Sequence, residues 1–221
     1  MTIGWRRHPA PEPVPADLVA AAAGLAVSLL SDNMARVSGA VGLHHRHDGT
    51  PMAGTAVTVR TRAGDNLAVY RAFGHCRPGN VLVVDGGGAL DQALMGDIMT
   101  SYAERAGLAG VVVDGAIRDV AAIRRRPFPV FARGVTHRGP HKNGPGEVNV
   151  PVSIGGMVVH PGDLVVGDED GVLAIPVADA PAVLAGARDQ AAREEAALAA
   201  IAEGRYDLSW VASRERLMMG E

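Results

Sequence analysis

Two short apolar segments with almost the same sequence constrain the fold of this chain more than any other feature. Residues 81–85 are VLVVD and residues 110–114 are GVVVD, and both are rich in β-branched residues and bounded by turn residues. Between them lie a glycine-rich loop and residues 96–107, which have the pattern of a helix ending at a glycine. Strand, helix and strand at this spacing predict a βαβ unit with parallel strands.

The rest of the chain predicts one α/β domain. Residues 1–15 are proline-rich and are expected to form an N-terminal arm, followed by a helix over residues 17–30 that Asp17 caps. Short strands separated by Gly, Pro and Asp turns occupy residues 129–177, and a charged, alanine-rich helix follows over about residues 179–203. No linker interrupts this pattern, so residues 16–221 are predicted to form a single domain with two sheets and helices outside.

Charge and composition exclude several classes of function. The formal net charge is −3, which argues against a general nucleic-acid-binding protein. The alanine-rich run of residues 18–30 is interrupted by Gly24 and Ser28, and it is shorter than the roughly 20 residues of a membrane span. The N-terminus has no apolar signal core, so we expect a cytoplasmic protein that binds neither nucleic acid nor membrane.

Three other motifs favour ordinary structural roles. The glycines of residues 86–88 would need another glycine at Asp91 to complete a dinucleotide fingerprint. The histidines of residues 44–47 have no further ligands at metal-site spacing and predict a solvated loop. Cys76 is the one cysteine, so it forms no intramolecular disulfide, and we expect it to be a small core residue.

The lysine count limits the possible chemistry. Of the 21 basic residues, 20 are arginine and Lys142 is the one lysine. Lys142 lies in the loop HKNGPG, where we expect it to be solvated. Enzymes that form an imine with a carbonyl substrate need a lysine amine, so such chemistry is not expected here.

Polar residues follow both strands of the βαβ unit. Asp97 by itself indicates a helix cap, and Arg118 with Asp119 indicates a turn with a local ion pair. The crossover can bring both loops to one sheet edge, where they suit a small α-keto acid. The backbone N–H groups of Ile98 and Met99 can bind a carboxylate, and Arg118 a carboxylate or keto oxygen. Asp97 and Asp119 can hold a hard divalent cation through water.

These residues lie within a longer stretch that resembles a known family. The sequence is similar to the family of 4-hydroxy-4-methyl-2-oxoglutarate aldolase and the regulator of ribonuclease E activity, the RraA-like family. The resemblance spans about residues 30–180 and rests on the segments SDNMARV, GTAVTVRTRAGDNLA, PGNVLVVDGGG, GLAGVVVDGAIRD, FPVFARGVTHRGP, GPGEVNVPVSIGG and PGDLVVGDEDGVLAIP. Members of the aldolase branch have an aspartate 21 positions before an Arg-Asp pair, as Asp97 precedes Arg118 here.

The resemblance implies a fold, an assembly and a site. The fold is an α-β-β-α sandwich, assembled as a homotrimer or as a hexamer made of two trimers. A divalent cation, Mg²⁺ or Mn²⁺, is expected at Asp119, and Glu194 or Glu195 of a neighbouring subunit is expected to approach the site. Asp97 and Arg118 are the expected catalytic residues. The expected substrate pocket consists of Gly96, Asp97, Ile98, Met99 and Arg118.

The function implied is that of a class II, metal-dependent pyruvate aldolase. Such an enzyme cleaves 4-hydroxy-4-methyl-2-oxoglutarate, or a related 4-hydroxy-2-oxo acid, to pyruvate and a second keto acid. Oxaloacetate decarboxylation passes through the same pyruvate enolate and is expected at the same site. The alternatives are a non-catalytic regulator that binds a ribonuclease and a lyase of the same family that acts on another keto acid.

Overall fold

The computed structural model describes residues 2–220, and in them it shows a mixed α/β fold of eleven strands and seven α-helices. The strands are β1 (His44–His45), β2 (Met52–Thr61), β3 (Asn80–Asp85), β4 (Ala93–Met95), β5 (Gly110–Ile117), β6 (Val130–Val135), β7 (Gly146–Val148), β8 (Val152–Ile154), β9 (Met157–Val159), β10 (Leu164–Asp168) and β11 (Gly171–Ile175). The helices are α1 (Ala16–Ala23), α2 (Val27–Asp32), α3 (Leu67–Ala72), α4 (Asp97–Arg105), α5 (Val120–Ile123), α6 (Ala180–Ala202) and α7 (Ser209–Met219).

The two near-identical segments form adjacent parallel strands, β3 and β5. Their register runs from the pair Val81 and Gly110 to the pair Asp85 and Asp114, and α4 forms the crossover between them. The predicted βαβ unit is therefore confirmed. Every residue of β5 is buried, as expected for a parallel strand covered on both faces.

Nine strands form one mixed sheet. Its main path is β1-β6-β5-β3-β2-β10-β11, with β4 paired to β5 and β7 paired to β2. The pairs within β2, β3, β5 and β6 are parallel, whereas β10 and β11 run antiparallel to their neighbours. The hairpin β8-β9 forms a second, two-stranded sheet.

Hydrophobic cores lie on both faces of the large sheet. Because side chains alternate along a strand, Val81 and Val83 of β3 enter one core, whereas Leu82 and Val84 enter the other. Helices α1, α2 and α6 and the β8-β9 hairpin cover the first core. Helices α3, α4 and α5 cover the second. The predicted single-domain α/β fold, with two sheets and helices outside, is confirmed.

The N-terminal part of the domain contains two helices where the sequence predicts one. The single capped helix predicted over residues 17–30 is wrong, because α1 ends before Gly24 and α2 begins at Val27. Asp17 lies inside α1 and is not its cap. The carboxylate of Asp168 accepts a hydrogen bond from the backbone N–H of Val27 at 2.8 Å, which fixes the start of α2.

The residues before α1 lie along β7. The Val148 N–H donates to the Arg6 carbonyl and the His8 N–H donates to the Val148 carbonyl, as in an added strand. The carboxylate of Glu147 also accepts hydrogen bonds from Gly4 N–H at 3.0 Å and from the guanidinium of Arg6.

The C-terminal helices leave the body of the domain. The buried residues of α6 all lie between Ala180 and Ala187, and α7 has none. Large apolar side chains such as Leu198, Trp210 and Met219 are exposed there. None of the helices in residues 2–220 is long and apolar enough to cross a membrane.

Candidate active site

The candidate site forms where two neighbouring parallel strands end. Gly96 follows β4 and Arg118 follows β5, and the last residues of the two strands, Met95 and Ile117, are paired. The backbone N–H of Arg118 donates to the carbonyl of Met95 at 3.0 Å. The two loops therefore meet at one edge of the sheet, where α/β proteins commonly bind ligands.

Gly96 lies against the side chains of the Arg-Asp pair. A Cβ atom added to Gly96 would be 2.5 Å from Asp119 Oδ2 and 2.8 Å from Arg118 Cγ, closer than real Cβ contacts. The backbone conformation of Gly96 is extended, with φ of −152°, and is open to any residue. The glycine is therefore required by the close approach of the two side chains and not by its backbone torsions.

Asp119 is held in an unusual conformation. Its φ of 60° and ψ of 31° lie in the left-handed region, which non-glycine residues seldom occupy, at the start of α5. Asp119 Oδ2 accepts a hydrogen bond from the backbone N–H of Asp97 at 3.0 Å and lies 3.6 Å from Arg118 Nε. Backbone strain of this kind concentrates at functional sites, and here it turns a half-exposed carboxylate toward the first turn of α4.

Asp97 contributes its backbone to this cluster, while its carboxylate faces another partner. Asp97 Oδ1 forms a salt bridge with Arg126 Nη2 at 2.9 Å. Arg126 also donates to Ser101 Oγ at 2.6 Å and to Glu104 Oε2 at 3.2 Å, so it ties the first turns of α4 together. The structure brings Gly96, Arg118 and Asp119 together, whereas the Asp97 carboxylate lies beside Arg126.

A small pocket opens at this cluster, with about 330 Å³ of space not filled by protein atoms, part of it open to solvent. Five of the expected site residues line it, and they are Gly96, Ile98, Met99, Arg118 and Asp119. Asp97 is not among the lining residues. The lining also includes residues that the sequence pattern does not predict, among them Asn66, Tyr70, Pro140 and Lys142.

Lys142 reaches the pocket because its loop is fastened to the residues before α3. The buried carboxylate of Asp65 accepts hydrogen bonds from the backbone N–H groups of Asn143 at 2.7 Å and Gly144 at 2.9 Å. Burial raises the pKa of Asp65, but hydrogen bonds from Leu67, Asn143 and Gly144 outweigh burial and leave that pKa below its usual value. Lys142 is exposed, as expected, yet it lies at the pocket wall.

The charges of the pocket suit a small anion. Arg118 and Lys142 both line it, and α4 begins at its wall. The first N–H groups of a helix have no partner within the helix and carry partial positive charge, so those of Ile98 and Met99 are free to bind an anion. The pocket can therefore hold a carboxylate and a neighbouring carbonyl oxygen.

The donor set fits a divalent cation that keeps most of its water. Within residues 2–220, no three His, Cys, Asp or Glu side chains are grouped as a metal site would require. Mg²⁺ needs only one or two carboxylates and takes its other ligands from water and substrate. Asp119 supplies one half-exposed carboxylate at the pocket, and the backbone N–H of Asp97 lies next to it. The residues present fit such a cation and do not form a closed zinc site.

The other motifs lie away from the pocket. The ring of His47 is buried, with its nitrogens 3.2 Å from the Val130 carbonyl and 2.8 Å from the Thr50 carbonyl, so the expectation of a wholly solvated histidine loop is wrong for this residue. Burial raises the pKa of the Cys76 thiol to about 12, so the thiolate is scarce at neutral pH.

The two glutamates of α6 lie on its exposed outer half. Glu194 Oε1 accepts a hydrogen bond from Gln190 Nε2 at 2.9 Å, and Glu195 follows it in the sequence. Neither lines the pocket of its own chain. Their approach to the pocket of a neighbouring subunit stays a prediction.

More than half of the chain matches the model of a known protein family. Residues 27–174 match the model of the RraA-like family, described as Aldolase/RraA. The chain belongs to the RraA-like family. The match contains β1 to β10 and every residue of the pocket, so the family assignment covers the site as well as the fold.

Individual relatives agree with the family assignment. A protein of Halalkalibacterium halodurans, provisionally named 4-hydroxy-4-methyl-2-oxoglutarate aldolase, is 45% identical over 152 residues, which are 69% of this chain and 72% of that protein. The 4-hydroxy-4-methyl-2-oxoglutarate aldolase of Thermus thermophilus is 42% identical over 112 residues, or 51% of this chain and 68% of the relative.

A solved structure extends the likeness to most of the chain. RraAS2 of Streptomyces coelicolor, described as an unusual member of the RNase ES inhibitor RraA protein family, superposes with a TM-score of 0.77. Its sequence is 30% identical, and the match covers 84% of this chain and 97% of RraAS2. The RraA-like family thus includes members named as aldolases and members named as ribonuclease inhibitors.

Proposed function

We propose that this RraA-like protein is a class II pyruvate aldolase that cleaves 4-hydroxy-4-methyl-2-oxoglutarate or a related 4-hydroxy-2-oxo acid. The observation that carries the proposal is the pocket at the start of α4, where Arg118 and Asp119 close around Gly96. The names of the two relatives support the same reaction.

The pocket explains how such a substrate would bind. The free N–H groups of Ile98 and Met99 take the C1 carboxylate, as helix N-termini do for anions. Arg118 donates to the C2 keto oxygen, and its planar fork can bond a carboxylate oxygen at the same time. Lys142 at the wall adds positive charge for a second carboxylate. This places the keto group beside Asp119.

Cleavage of the C3–C4 bond requires the C4 hydroxyl to lose its proton. The electron pair of the broken bond forms the enolate of pyruvate, and C4 becomes the carbonyl carbon of the second keto acid. Arg118 stabilises the enolate oxygen, and protonation at C3 releases pyruvate. We assign the proton transfers to Asp97 acting through a water molecule, because Asp97 directly follows Gly96 in the sequence and its carboxylate, although paired with Arg126, is half-exposed and open to water.

Decarboxylation of oxaloacetate uses the same groups. The C3–C4 bond breaks with loss of CO₂, and its electron pair forms the same pyruvate enolate. We therefore propose oxaloacetate decarboxylase activity at this site. A Mg²⁺ or Mn²⁺ ion held by Asp119 would supply further positive charge to the keto oxygen during both reactions.

We also propose that the active form is a homotrimer or a hexamer. Tyr70, Ile98 and Tyr102 are exposed apolar side chains beside the pocket, and the outer half of α6 and all of α7 are largely exposed. A neighbouring subunit would cover these surfaces. Sedimentation velocity is expected to show a species several times the 22.8 kDa chain mass, and a stable, active monomer would contradict the proposal.

The second candidate function is a non-catalytic regulator that binds a ribonuclease. The likeness to RraAS2 favours it. A protein that acts only by binding has no need for the strained conformation of Asp119 or for the close approach at Gly96. These features of the pocket favour the aldolase.

Initial rates of pyruvate release test the aldolase proposal. The wild-type protein with Mg²⁺ is incubated with 4-hydroxy-4-methyl-2-oxoglutarate or with oxaloacetate, and pyruvate is measured by reduction to lactate. We expect enzyme-dependent release from both substrates. Release from neither, together with inhibition of a ribonuclease by the same preparation, would favour the regulator.

A further inference from the structure

Asn66 has a buried side chain at the wall of the active-site pocket. Its exposed fraction is 2%, and it lies immediately before α3. Its Nδ2 donates a hydrogen bond to the carbonyl of Leu94 at 3.0 Å and lies 3.3 Å from Met99 Sδ. Because a carbonyl accepts only from a donor, the Leu94 contact fixes which end of the amide is nitrogen and which is oxygen.

The amide oxygen of Asn66 has no hydrogen-bond partner. Six buried side-chain nitrogen or oxygen atoms within residues 2–220 lack one, and Asn66 Oδ1 is the one of these that belongs to a residue of the pocket wall. Buried polar groups are nearly always paired, so this acceptor at the wall of a binding pocket is available to a donor from outside the chain.

The two proposed substrates differ in their hydrogen-bond donor groups. The carboxylates and the keto group of a 4-hydroxy-2-oxo acid are acceptors at neutral pH, and they match Arg118, Lys142 and the N–H groups of α4. The C4 hydroxyl is the donor of such a substrate. Oxaloacetate in its keto form has no hydroxyl group.

We propose that Asn66 Oδ1 accepts a hydrogen bond from the C4 hydroxyl of the substrate and so selects 4-hydroxy-2-oxo acids. This inference rests on the proposed aldolase function. An amide oxygen is too weak a base to remove the proton, so Asn66 binds and orients the hydroxyl, and the proton leaves to another acceptor. Asn66 therefore contributes to substrate specificity in aldol cleavage. It has no such role in decarboxylation, because oxaloacetate lacks the hydroxyl group.

The test compares two reactions of one variant. In Asn66→Ala, kcat/KM for cleavage of 4-hydroxy-4-methyl-2-oxoglutarate is expected to fall about tenfold, which corresponds to about 1.4 kcal/mol. The value of kcat/KM for oxaloacetate decarboxylation is expected to stay within about twofold of wild type. Any change that loss of the Leu94 contact makes to the pocket would affect both substrates, so the ratio of the two values isolates the hydroxyl contact.

Asn149 provides a matched control. It is also buried, its Nδ2 donates to the backbone carbonyls of His8 and Pro9, and its Oδ1 also lacks a partner. It does not line the pocket. Asn149→Ala is expected to leave the ratio of the two kcat/KM values unchanged. Asn66→Leu, which keeps the side-chain size without polar atoms, repeats the test should the alanine variant fold poorly.

The outcomes separate this inference from the function on which it rests. Equal losses of both reactions in the folded Asn66 variants would overturn the inference alone. An unchanged rate of aldol cleavage in those variants would overturn it as well. Pyruvate release from neither substrate by wild-type protein would overturn the aldolase function and this inference with it.

Discussion

Replacing Gly96 with alanine adds one methyl group at the point where the site is most crowded. The new Cβ would lie 2.5 Å from Asp119 Oδ2 and 2.8 Å from Arg118 Cγ. Both side chains are half-exposed and can move outward, so we expect the fold to survive with a loss of about 1 kcal/mol or less. The geometry of the pocket is not expected to survive.

The size of the displacement sets the expected loss of activity. Ordinary Cβ contacts begin at 3.4 Å, so Asp119 Oδ2 has to retreat by about 0.9 Å. Its hydrogen bond from the Asp97 N–H at 3.0 Å would then break. A misplacement of about 1 Å at a reacting centre costs on the order of a hundredfold in rate, and we expect this loss in kcat for pyruvate formation.

The assay measures pyruvate release from both substrates, with thermal unfolding as the check on the fold. Gly24→Ala is the matched control, because the atom nearest to its added Cβ is 3.9 Å away and the residue lies outside the active-site pocket. The control is expected to keep wild-type activity. Near wild-type kcat in Gly96→Ala would refute the argument that this contact positions the site.

Three further predictions concern other residues of the site. Arg118→Lys is expected to lower kcat for pyruvate formation by roughly a hundredfold at saturating Mg²⁺, because lysine lacks the planar fork; a loss below about threefold would contradict this role. Asp65→Asn is expected to reduce the free energy of unfolding by about 2 kcal/mol at pH 7, because Asn143 and Gly144 lose a charged acceptor. Because the pKa of Asp65 is lowered in the fold, the difference in free energy of unfolding between the wild type and the variant is complete above the unfolded pKa of about 3.9 and shrinks as the pH falls through the folded pKa. Denaturant titrations at pH 7 and pH 3 measure this difference. A difference that does not change with pH would contradict the prediction. Borohydride added during turnover is expected to trap no adduct on Lys142, as mass spectrometry of the intact chain can show; a reduced imine there would contradict the class II mechanism.

The sequence predicts those parts of the structure that depend on local patterns. The repeated β-branched segments predict β3 and β5, because buried parallel strands need continuous apolar runs. The crossover between them then predicts that Arg118 and the first turn of α4 meet at one edge. Their roles in catalysis stay predictions.

Features that depend on contacts between residues far apart in the sequence are not predicted from local sequence patterns. The break between α1 and α2 depends on Asp168, which is 141 positions from Val27. Lys142 reaches the pocket because Asp65, 78 positions before Asn143, holds its loop. The strand β4 is only three residues long and lies in a glycine-rich stretch, so its pattern is too short to recognise.

The sequence does not predict the salt bridge of Arg126 with Asp97, for a different reason. Arg126 lies in a run of three arginines, residues 124–126, and nothing in the run distinguishes one from the next. Only the structure shows that this arginine, which follows α5, pairs with the Asp97 carboxylate on α4 at 2.9 Å.

Exchange of the methyl protons of pyruvate with solvent tests the central claim most directly, because exchange requires the enolate that both proposed reactions share. Pyruvate in D₂O is followed by proton NMR with the wild-type protein and Mg²⁺, with added EDTA, and with Asp119→Ala; Gly24→Ala is the control. We expect exchange with the wild-type protein and with the control. We expect no exchange above the protein-free rate with EDTA or with Asp119→Ala. Exchange that persists in Asp119→Ala, or none with the wild-type protein, would contradict the proposed site.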